Sequence, residues 1–514
     1  MADFMPHKPE QTESSKDSRI LVSAFTGLIF FGLISHIAVN IDDLLLLTKG
    51  SMTSVIAYVA GVGIISAWRY SNYLYNAYRA VTYKFWYKTW EEEVESHDLP
   101  LPYDLLEVHV MAYEETPLVF ATCFRSLAID VASTEIPAVI YVSISKDKAR
   151  ASVDLQVIKK TINGLEKENI IVVDNATRKL ITINQKGQGK KNALASSIDM
   201  GLTNPSMQSI RRAVLLMDCD QFIVKGTIKR SLKFLGSSDR VNAVTPSNRA
   251  WCLTDSDAYV ELSSVRLGPR RDHSMSVAAT VATGRFVIFE GEFITKTLVK
   301  KLNHDIYTYD EFGSFIAATG EDKRTYLDLL EKGGDIAFLL SVVVFSIEEP
   351  ENEEKPIRSF VSQMFRYKGN SHRFHSKVLK LPPELLDFQK RRIFWDQKWA
   401  FWTPITGILS ALVGLVMWGK VVVEIYFVGA YLIREIQARY YCWFTGVKYS
   451  PWMPITIYFD QTFGAFIDLL ARFTPNVSKW IQKGVPQGGE IQAVSILNIT
   501  ITFMAVFLLI LTIT

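Results

Sequence analysis

Cysteine is scarce in this chain of 514 residues, and neither sign of charge is in excess. The four cysteines, Cys123, Cys219, Cys252 and Cys442, show no paired spacing, which argues against a disulfide framework and suits a reducing compartment. The formal net charge of +3 favours no class of charged partner, and we expect no nucleic acid among the partners.

The chain also lacks the two common glycine-rich phosphate-binding patterns. Residues 185–194 read QKGQGKKNAL and place glycines and lysines at the start of a predicted helix, but with neither the Walker nor the Rossmann spacing. Lys190 or Lys191 could contact the phosphates or the base of a nucleotide, and a solvated loop explains the segment equally well.

Apolar residues, by contrast, are abundant and clustered. They make up 48% of the chain, and the mean hydropathy is +0.12. Uncharged segments long enough to span a bilayer are 20–41, 51–68, 399–419 and 493–514, and weaker candidates that carry acidic residues are 421–433 and 452–473. We therefore predict an integral, multi-pass membrane protein with about six transmembrane helices, two in residues 20–68 and about four in 399–514.

Basic residues before the first predicted span and after the second predict that the N-terminus and the central region are cytosolic. Residues 1–19 are polar, and we expect them to be disordered. Residues 69–98 mix aromatic and basic side chains, which favours an amphipathic helix at the membrane interface. A helix packed on the soluble domain explains the same segment equally well.

Residues 99–350 contain no predicted span and alternate between strand and helix patterns. We predict strands at 105–113, 138–145, 169–173 and 213–217, separated by segments long enough to form helices. This alternation predicts an α/β domain with a mostly parallel sheet and helices on both faces.

Two carboxylates follow the fourth predicted strand, in the sequence RAVLLMDCDQ. Asp218 and Asp220 should lie at the carboxyl edge of the sheet, where open α/β folds bind ligands. Their alternation puts both on one side, so the pair can hold Mg²⁺ or Mn²⁺ against a nucleotide diphosphate. A loop or capping role is the alternative for such a pair.

Three further segments carry candidate functional residues. Residues 282–289 read ATGRFVIF, and residues 318–329 read ATGEDKRTYLDL, in which Asp322 begins a helical pattern and could simply stabilise the helix N-terminus. Residues 362–374 read SQMFRYKGNSHRF and place Gln363, Arg366 and Tyr367 in a Q-x-x-R-aromatic arrangement. A basic amphipathic membrane-surface helix explains this last segment without any chemistry.

The order of these motifs between membrane spans resembles that of the processive family 2 glycosyltransferases, which include cellulose, chitin and hyaluronan synthases. The similarity to the bacterial mannuronan synthases, the alginate polymerases, is greater and extends to Trp68-Arg69-Tyr70, Phe394-Trp395-Asp396-Gln397 and Tyr458-Phe459-Asp460-Gln461. The resemblance implies a GT-A-type domain at 99–350 inserted between transmembrane helices, followed by a gate with interfacial helices at 351–398.

The resemblance also implies roles for single residues. Asp218 and Asp220 would bind the metal and the UDP- or GDP-linked donor, with Lys190 and Lys191 contributing. Asp322, beside Glu321, would be the general base that activates the acceptor hydroxyl, which gives inversion. Arg366 would stabilise the departing diphosphate, and Gln363 and Tyr367 would shape the gate over the nucleotide. The apolar segments would conduct the growing polysaccharide across the lipid bilayer.

Two departures from the family pattern stand out. The aromatic residue of the last motif is Tyr367 instead of Trp, which changes the hydrogen bonding available there. The aspartate expected at the end of the second strand, which would bind the base, is replaced by Ser143 and Ser145, so the role passes to the later Asp147.

Positive charge around the motifs bears on the donor sugar. Arg285 follows Gly284 in a segment that lines the acceptor end in related synthases, and Lys323 and Arg324 follow the base. Such charge suits the carboxylate of a uronic acid, since charge-assisted hydrogen bonds are the stronger ones. We therefore favour UDP-glucuronic or GDP-mannuronic acid. Phosphate contacts or surface charges, a neutral or amino-sugar polymer, and a transporter regulated by a nucleotide sugar are the alternatives.

Overall fold

The computed structural model describes most of the chain between residues 52 and 474. The described ranges are 52–96, 101–112, 115–170, 173, 177–185, 189–204, 210–238, 240–253, 257–309, 313–316, 320–349 and 356–474. The predicted tail at 1–19 and the predicted spans at 20–41 and 493–514 lie outside these residues.

Ten strands and fourteen α-helices are defined within the described ranges. The strands are β1 (Leu105–Met111), β2 (Ala138–Ile144), β3 (Arg178–Asn184), β4 (Arg212–Asp218), β5 (Gln221–Ile223), β6 (Ala243–Trp251), β7 (Phe286–Glu290), β8 (Ile306–Tyr309), β9 (Gly313–Ile316) and β10 (Ile336–Ile347). The helices are α1 (Met52–Ser96), α2 (Pro117–Ala132), α3 (Lys148–Lys167), α4 (Gly189–Leu202), α5 (Thr227–Gly236), α6 (Asp257–Leu267), α7 (Pro269–Val277), α8 (Lys296–Asn303), α9 (Glu321–Glu331), α10 (Pro356–Val378), α11 (Phe388–Trp399), α12 (Trp402–Trp418), α13 (Lys420–Thr445) and α14 (Met453–Phe473).

A mixed, mostly parallel sheet of eight strands forms the centre of the α/β region, in the order β3-β2-β1-β4-β7-β6-β10-β5. Strands β3, β2, β1 and β4 are parallel neighbours, and β6 is parallel to β10. Strand β7 is antiparallel to both β4 and β6, and β5 is antiparallel to β10. The register pairs Met111 with Asp218, so the ends of β1 and β4 lie together at one edge.

Helices cover both faces of this sheet, as the alternation of patterns predicts. On one face Phe124 of α2 and Leu232 of α5 belong to a core cluster with Val108 of β1. On the other face Ile198 of α4 and Leu298 of α8 pack with Val214 of β4. Every residue of β1 is buried, because helices cover the sheet on both faces. The buried residues include the polar Glu107, which pairs with Arg212 at 2.8 Å.

The predicted strands β1, β2 and β4 are confirmed, but the third was predicted at the wrong place. Residues 169–173 were expected to be a strand, whereas β3 begins at Arg178. Asn169 has a left-handed φ of 61°, and the N–H of Ile170 donates to the carbonyl of Leu165 at 2.9 Å. These features end α3, and Ile170 then packs beside Leu165 and Ala128.

The segment predicted to lie at the membrane interface is continuous with the predicted span before it, since both belong to α1. In the second half of α1, Tyr87 and Trp90 pack on Phe234 of α5, with ring centroids 5.5 and 4.7 Å away. Other aromatic side chains of the same helix, including Tyr78 and Phe85, are exposed. One face of α1 therefore packs on the α/β region.

The predicted spans at 399–419, 421–433 and 452–473 correspond to the helices α12, α13 and α14. Among the residues that the structure describes, no helix has both the length and the apolar character that crossing a membrane requires.

Candidate active site

A cavity of about 280 Å³ lies at the carboxyl end of β4. Its lining combines the segments that the sequence singles out with parts of α6 and α7. The lining residues are Lys190, Asp218, Arg266, Leu267, Arg271, Val281, Thr283, Gly284, Arg285, Gly320, Glu321, Asp322, Lys323, Arg366, Tyr367, Asn370 and Ser371. Residues distant in sequence therefore meet at the sheet edge where α/β folds bind ligands.

Asp218 and Asp220 are placed by the β4–β5 junction. Asp218 is the last residue of β4, and the carbonyl of Asp220 accepts the N–H of Ile347 at 2.7 Å, which joins the turn to β10. The Asp220 carboxylate accepts a hydrogen bond from Gln221. Burial raises the pKa of Asp218 to about 7, with Asp220 and Glu321 acting in the same direction and Lys190 opposing them. The two aspartates are thus close enough to interact.

Lys190 pairs with the first of these aspartates. Gly189 has a left-handed φ of 81° and begins α4, and the Nζ of Lys190 lies 3.1 Å from the Oδ2 of Asp218. Burial lowers the pKa of Lys190, but the nearby carboxylates of Asp218, Glu321 and Asp220 outweigh it and raise the pKa well above its usual value. Lys190 is therefore a cation held at the aspartate pair.

The structure does not bring Lys191 or Arg324 into the cavity lining. Both side chains are buried and face Asp305, at 2.5 Å from Lys191 and 3.9 Å from Arg324. Arg324 also pairs with Glu331 at 2.7 Å. Consecutive residues on a helix point about 100° apart, which is why Lys190 and Lys323 face the cavity while their neighbours do not.

Asp322 and Glu321 lie in the first turn of α9, after Gly320 with its left-handed φ of 88°. Gly284 packs between them and Asp218. A Cβ atom on Gly284 would lie 3.3 Å from the Asp322 Cβ, 3.6 Å from the Glu321 Oε1 and 3.7 Å from the Asp218 Oδ2. The Thr283-Gly284 segment thus brings the proposed base within close range of the β4 carboxylate.

Arg285 already has a partner within the protein. Its Nη2 lies 2.6 Å from the Oε1 of Glu348, just after β10; Glu348 is buried, and the Arg285 side chain is 13% exposed. The other carboxylate oxygen of Glu348 accepts the Gln363 amide at 3.1 Å. Burial raises the pKa of Glu348, but Arg285 and Arg266 outweigh it, and the pKa is lowered overall. This network connects α10, which carries the Q-x-x-R-Y motif, to Thr283-Gly284-Arg285, the TGR segment.

Of the remaining motif residues, Arg366 and Tyr367 line the cavity, and Gln363 does not. Arg266 donates to the side-chain amide oxygen Oε1 of Gln363 at 2.5 Å, and its guanidinium lies 5.0 Å from the Tyr367 ring centroid. Arg366 is 5.3 Å from the same ring. Asp147 is exposed at the N-cap of α3, where it accepts the Arg150 N–H at 2.9 Å, and it is not among the cavity-lining residues.

Residues 102–370, more than half of the chain, match the family model described as "Glycosyltransferase like family 2". The chain belongs to glycosyltransferase family 2. The mixed, mostly parallel sheet is accordingly a GT-A-like glycosyltransferase fold, and the cavity lies within the matched residues or directly beside them.

Two curated members of this family are similar to the chain at low identity. The "Glycosyltransferase alg8" of Azotobacter vinelandii is 20% identical over 449 residues, which is 84% of this chain and 86% of that protein. The protein of the same name from Pseudomonas syringae pv. tomato is 22% identical over 310 residues, 59% of this chain and 62% of that protein. Among solved structures, the mannosyltransferase PcManGT from Pyrobaculum calidifontis, in complex with GDP-Man and Mn²⁺, has a TM-score of 0.45 at 15% identity, covering 80% of this chain and 98% of that chain.

The site of this glycosyltransferase includes residues that the sequence does not reveal. Glu348 stands in an acidic run that resembles a solvated loop, and Arg266 and Arg271 belong to helices without a recognised motif. Only the packing of β10 and of α6–α7 against the TGR segment gives them a place in the site.

The carboxylates of this glycosyltransferase fit a divalent cation in their chemistry. The Oδ1 of Asp218 is buried and has no hydrogen-bond partner among the described residues, and Asp220 lies close by. No group of three or more His, Cys, Asp or Glu side chains suited to a metal occurs in the described part of the chain. Asp218 and Asp220 could therefore supply hard oxygen ligands only as part of a shell that a diphosphate completes.

Proposed function

We propose that this chain is a membrane-embedded, processive, inverting glycosyltransferase that polymerises UDP-glucuronic acid or GDP-mannuronic acid into a β-1,4-linked polyuronate. Family membership supports sugar transfer. The observation that carries the acidic substrate is the charge of the cavity, whose lining has six cationic side chains and three carboxylates. The diphosphate of a donor accounts for part of that charge, and a sugar carboxylate accounts for the remainder.

The transfer step follows from the position of Asp322. The acceptor hydroxyl oxygen attacks the anomeric carbon while the bond from that carbon to the phosphate oxygen breaks, and the nucleoside diphosphate leaves with the electron pair. Asp322 takes the hydroxyl proton. Gly284 lies next to both Asp322 and Asp218, so a sugar bound there would be in reach of the base and of the carboxylates proposed to hold the metal. A single displacement of this kind inverts the anomeric centre.

The leaving diphosphate would meet the cations on the Asp218 side of the cavity. Lys190 lies at Asp218, and Arg366 and Tyr367 line the wall from α10. Asp218 and Asp220 would hold Mg²⁺ or Mn²⁺, which would neutralise charge on the diphosphate. Arg366 can bind phosphate oxygens in a bidentate manner, and Tyr367 can close over the nucleotide.

A second cavity supports the transfer of the product away from the site. It has a volume of about 510 Å³ and is bounded by parts of α1, α7 and α10–α14. On α7, Arg270 lines this cavity and its neighbour Arg271 lines the first. On α10, Lys368 lines this cavity and its neighbour Tyr367 lines the first. The two cavities therefore share the walls formed by α7 and α10, which suits a polymer that moves from one to the other into the membrane.

A donor screen tests the proposal. The purified full chain in lipid vesicles is incubated with UDP-glucuronic acid, GDP-mannuronic acid, UDP-glucose, UDP-N-acetylglucosamine or GDP-mannose, and released UDP or GDP and polymer are measured. We expect polymer from one uronate donor. If only a neutral or amino-sugar donor yields polymer, that sugar and not a uronic acid is the substrate. Binding of donors without turnover would favour a transporter regulated by nucleotide sugars.

A further inference from the structure

Arg271, the third residue of α7, has no charged partner of its own within the described residues. It is half-buried in the cavity lining and makes no hydrogen bond or ion pair with another described residue. Its sequence neighbours are engaged: Arg270 contacts Asp460, and Asp272 accepts from Arg249 at 2.6 Å. A guanidinium that is partly removed from water and has no partner favours an anionic ligand.

Lys323, the third residue of α9, is in a similar situation across the cavity. It lies 5.5 Å from the Phe374 ring centroid and forms no ion pair in the described part of the chain. Burial lowers the pKa of Lys323, Asp322 raises it, and Arg271 lowers it further. Lys323 and Arg271 are therefore electrostatic neighbours, and both lie near the proposed base.

Arg285, another cation of the cavity, differs from Arg271 in its partner and in the carboxylates around it. Arg285 is paired with Glu348, and the carboxylates acting on it besides Glu348 are those of Asp220 and Asp218. The carboxylates acting on Arg271 are instead those of Asp272 and Asp322. Arg285 thus lies toward the metal side of the cavity, and Arg271 toward the base.

The positive charge of Arg285 also repels that of Arg271. Burial and Arg285 together lower the pKa of Arg271 to about 10, so Arg271 keeps its proton at neutral pH but is held among cations. An anion between Arg271 and Lys323 would relieve this repulsion.

We propose that Arg271 and Lys323 together bind the carboxylate of the uronosyl unit that reacts beside Asp322. The inference rests on the proposed function, and it assigns the acidic-sugar specificity to a residue of α7 outside the recognised motifs. The diphosphate binds on the opposite side, near Asp218 and Lys190. Arg285 is then a positioning residue, which holds α10 to the TGR segment through Glu348.

The test compares Arg271→Gln, Arg271→Lys and Lys323→Gln with the wild type in the full chain. Each is assayed with the active uronate donor, with the neutral donor of the same nucleotide, UDP-glucose or GDP-mannose, and for binding of free UDP or GDP. Lys300→Gln is the matched control, because Lys300 is an exposed cation on α8 away from the cavity. Thermal midpoints establish that the variants fold.

We expect Arg271→Gln to lower kcat/KM for the uronate donor by roughly tenfold to a hundredfold, the range for losing a charge-assisted hydrogen bond in a partly buried site. Binding of free UDP or GDP should change by less than about twofold, and any turnover of the neutral donor should be retained or increased. Arg271→Lys should recover part of the loss because it keeps the charge.

Two outcomes would overturn this inference and leave the proposed function intact. In one, wild type uses a uronate donor and Arg271→Gln uses it equally well. In the other, Arg271→Gln weakens free UDP or GDP as much as the donor, which makes Arg271 a phosphate contact. If wild type uses only neutral donors, the proposed function fails first, and the inference fails with it.

Discussion

The backbone N–H of Asp218 donates to the carbonyl oxygen of Gly284 at 3.1 Å. This bond continues the antiparallel pairing of β4 with β7 into the TGR segment, one residue beyond the last ladder pair, Met217 with Phe286. The strand that ends in the aspartate pair and the glycine that packs against Asp322 are therefore parts of one rigid unit. The close approach of Asp322 and Asp218 to this segment depends on Gly284 having no side chain.

Gly284→Ala should accordingly reduce turnover more than stability. The new Cβ would lie 3.3 Å from the Asp322 Cβ, a tight contact that moves the base by a few tenths of an ångström. We expect kcat to fall by about tenfold, since small displacements of catalytic groups are costly. Gly164→Ala is the control, because a Cβ there meets nothing within 4 Å. Equal loss of activity in both variants would contradict the packing argument.

Asp322→Asn should abolish polymer synthesis while it preserves donor binding. The amide keeps the shape of the side chain but cannot accept the acceptor proton at neutral pH. Turnover is measured by release of UDP or GDP, and donor binding by calorimetry. Asp199→Asn, an exposed position on α4, controls for the loss of one carboxylate. Polymer yield from Asp322→Asn equal to that of wild type would remove Asp322 as the base.

Removal of divalent cations should stop the reaction, and Mn²⁺ or Mg²⁺ should restore it. Asp220→Asn should weaken Mn²⁺ binding in the presence of UDP or GDP, because one of the two carboxylate ligands loses its charge. Electron paramagnetic resonance of Mn²⁺ measures that binding independently of activity. Full turnover in excess chelator would refute the metal assignment for both aspartates.

Glu348→Gln should destabilise the protein through the buried Arg285. Removing one partner of a buried pair leaves the other charge uncompensated, at a cost of about 3 kcal/mol. A double-mutant cycle on unfolding, made of Arg285→Met, Glu348→Leu and the variant that carries both, measures the coupling, and the double variant should lose less stability than the two single variants together. Additive effects of the two sites would show that the 2.6 Å pair contributes little.

The local pattern of the chain determined the types of element and the chemistry of the site. Apolar runs predicted β1, β2 and β4, because strands buried on both faces are rich in apolar residues. Asp322 predicted the start of a helix, and the structure begins α9 one residue earlier, at Glu321. The third strand was misplaced because the apolar residues near Ile170 pack on helices, and no local signal separates that burial from burial in a sheet.

Only the tertiary structure decided which charges face the cavity. Lys190 and Lys191 are adjacent in sequence, but the helical turn sends one to Asp218 and the other to Asp305. Arg285 belongs to a motif and forms an ion pair with Glu348. Arg271 belongs to no motif and lines the cavity beside other cations. A sequence specifies the charge of each side chain, but the partner of a charge is fixed by long-range packing, here of β10 and α7 against the TGR segment. The candidate site was thus predictable in its residue types, and its electrostatics were not.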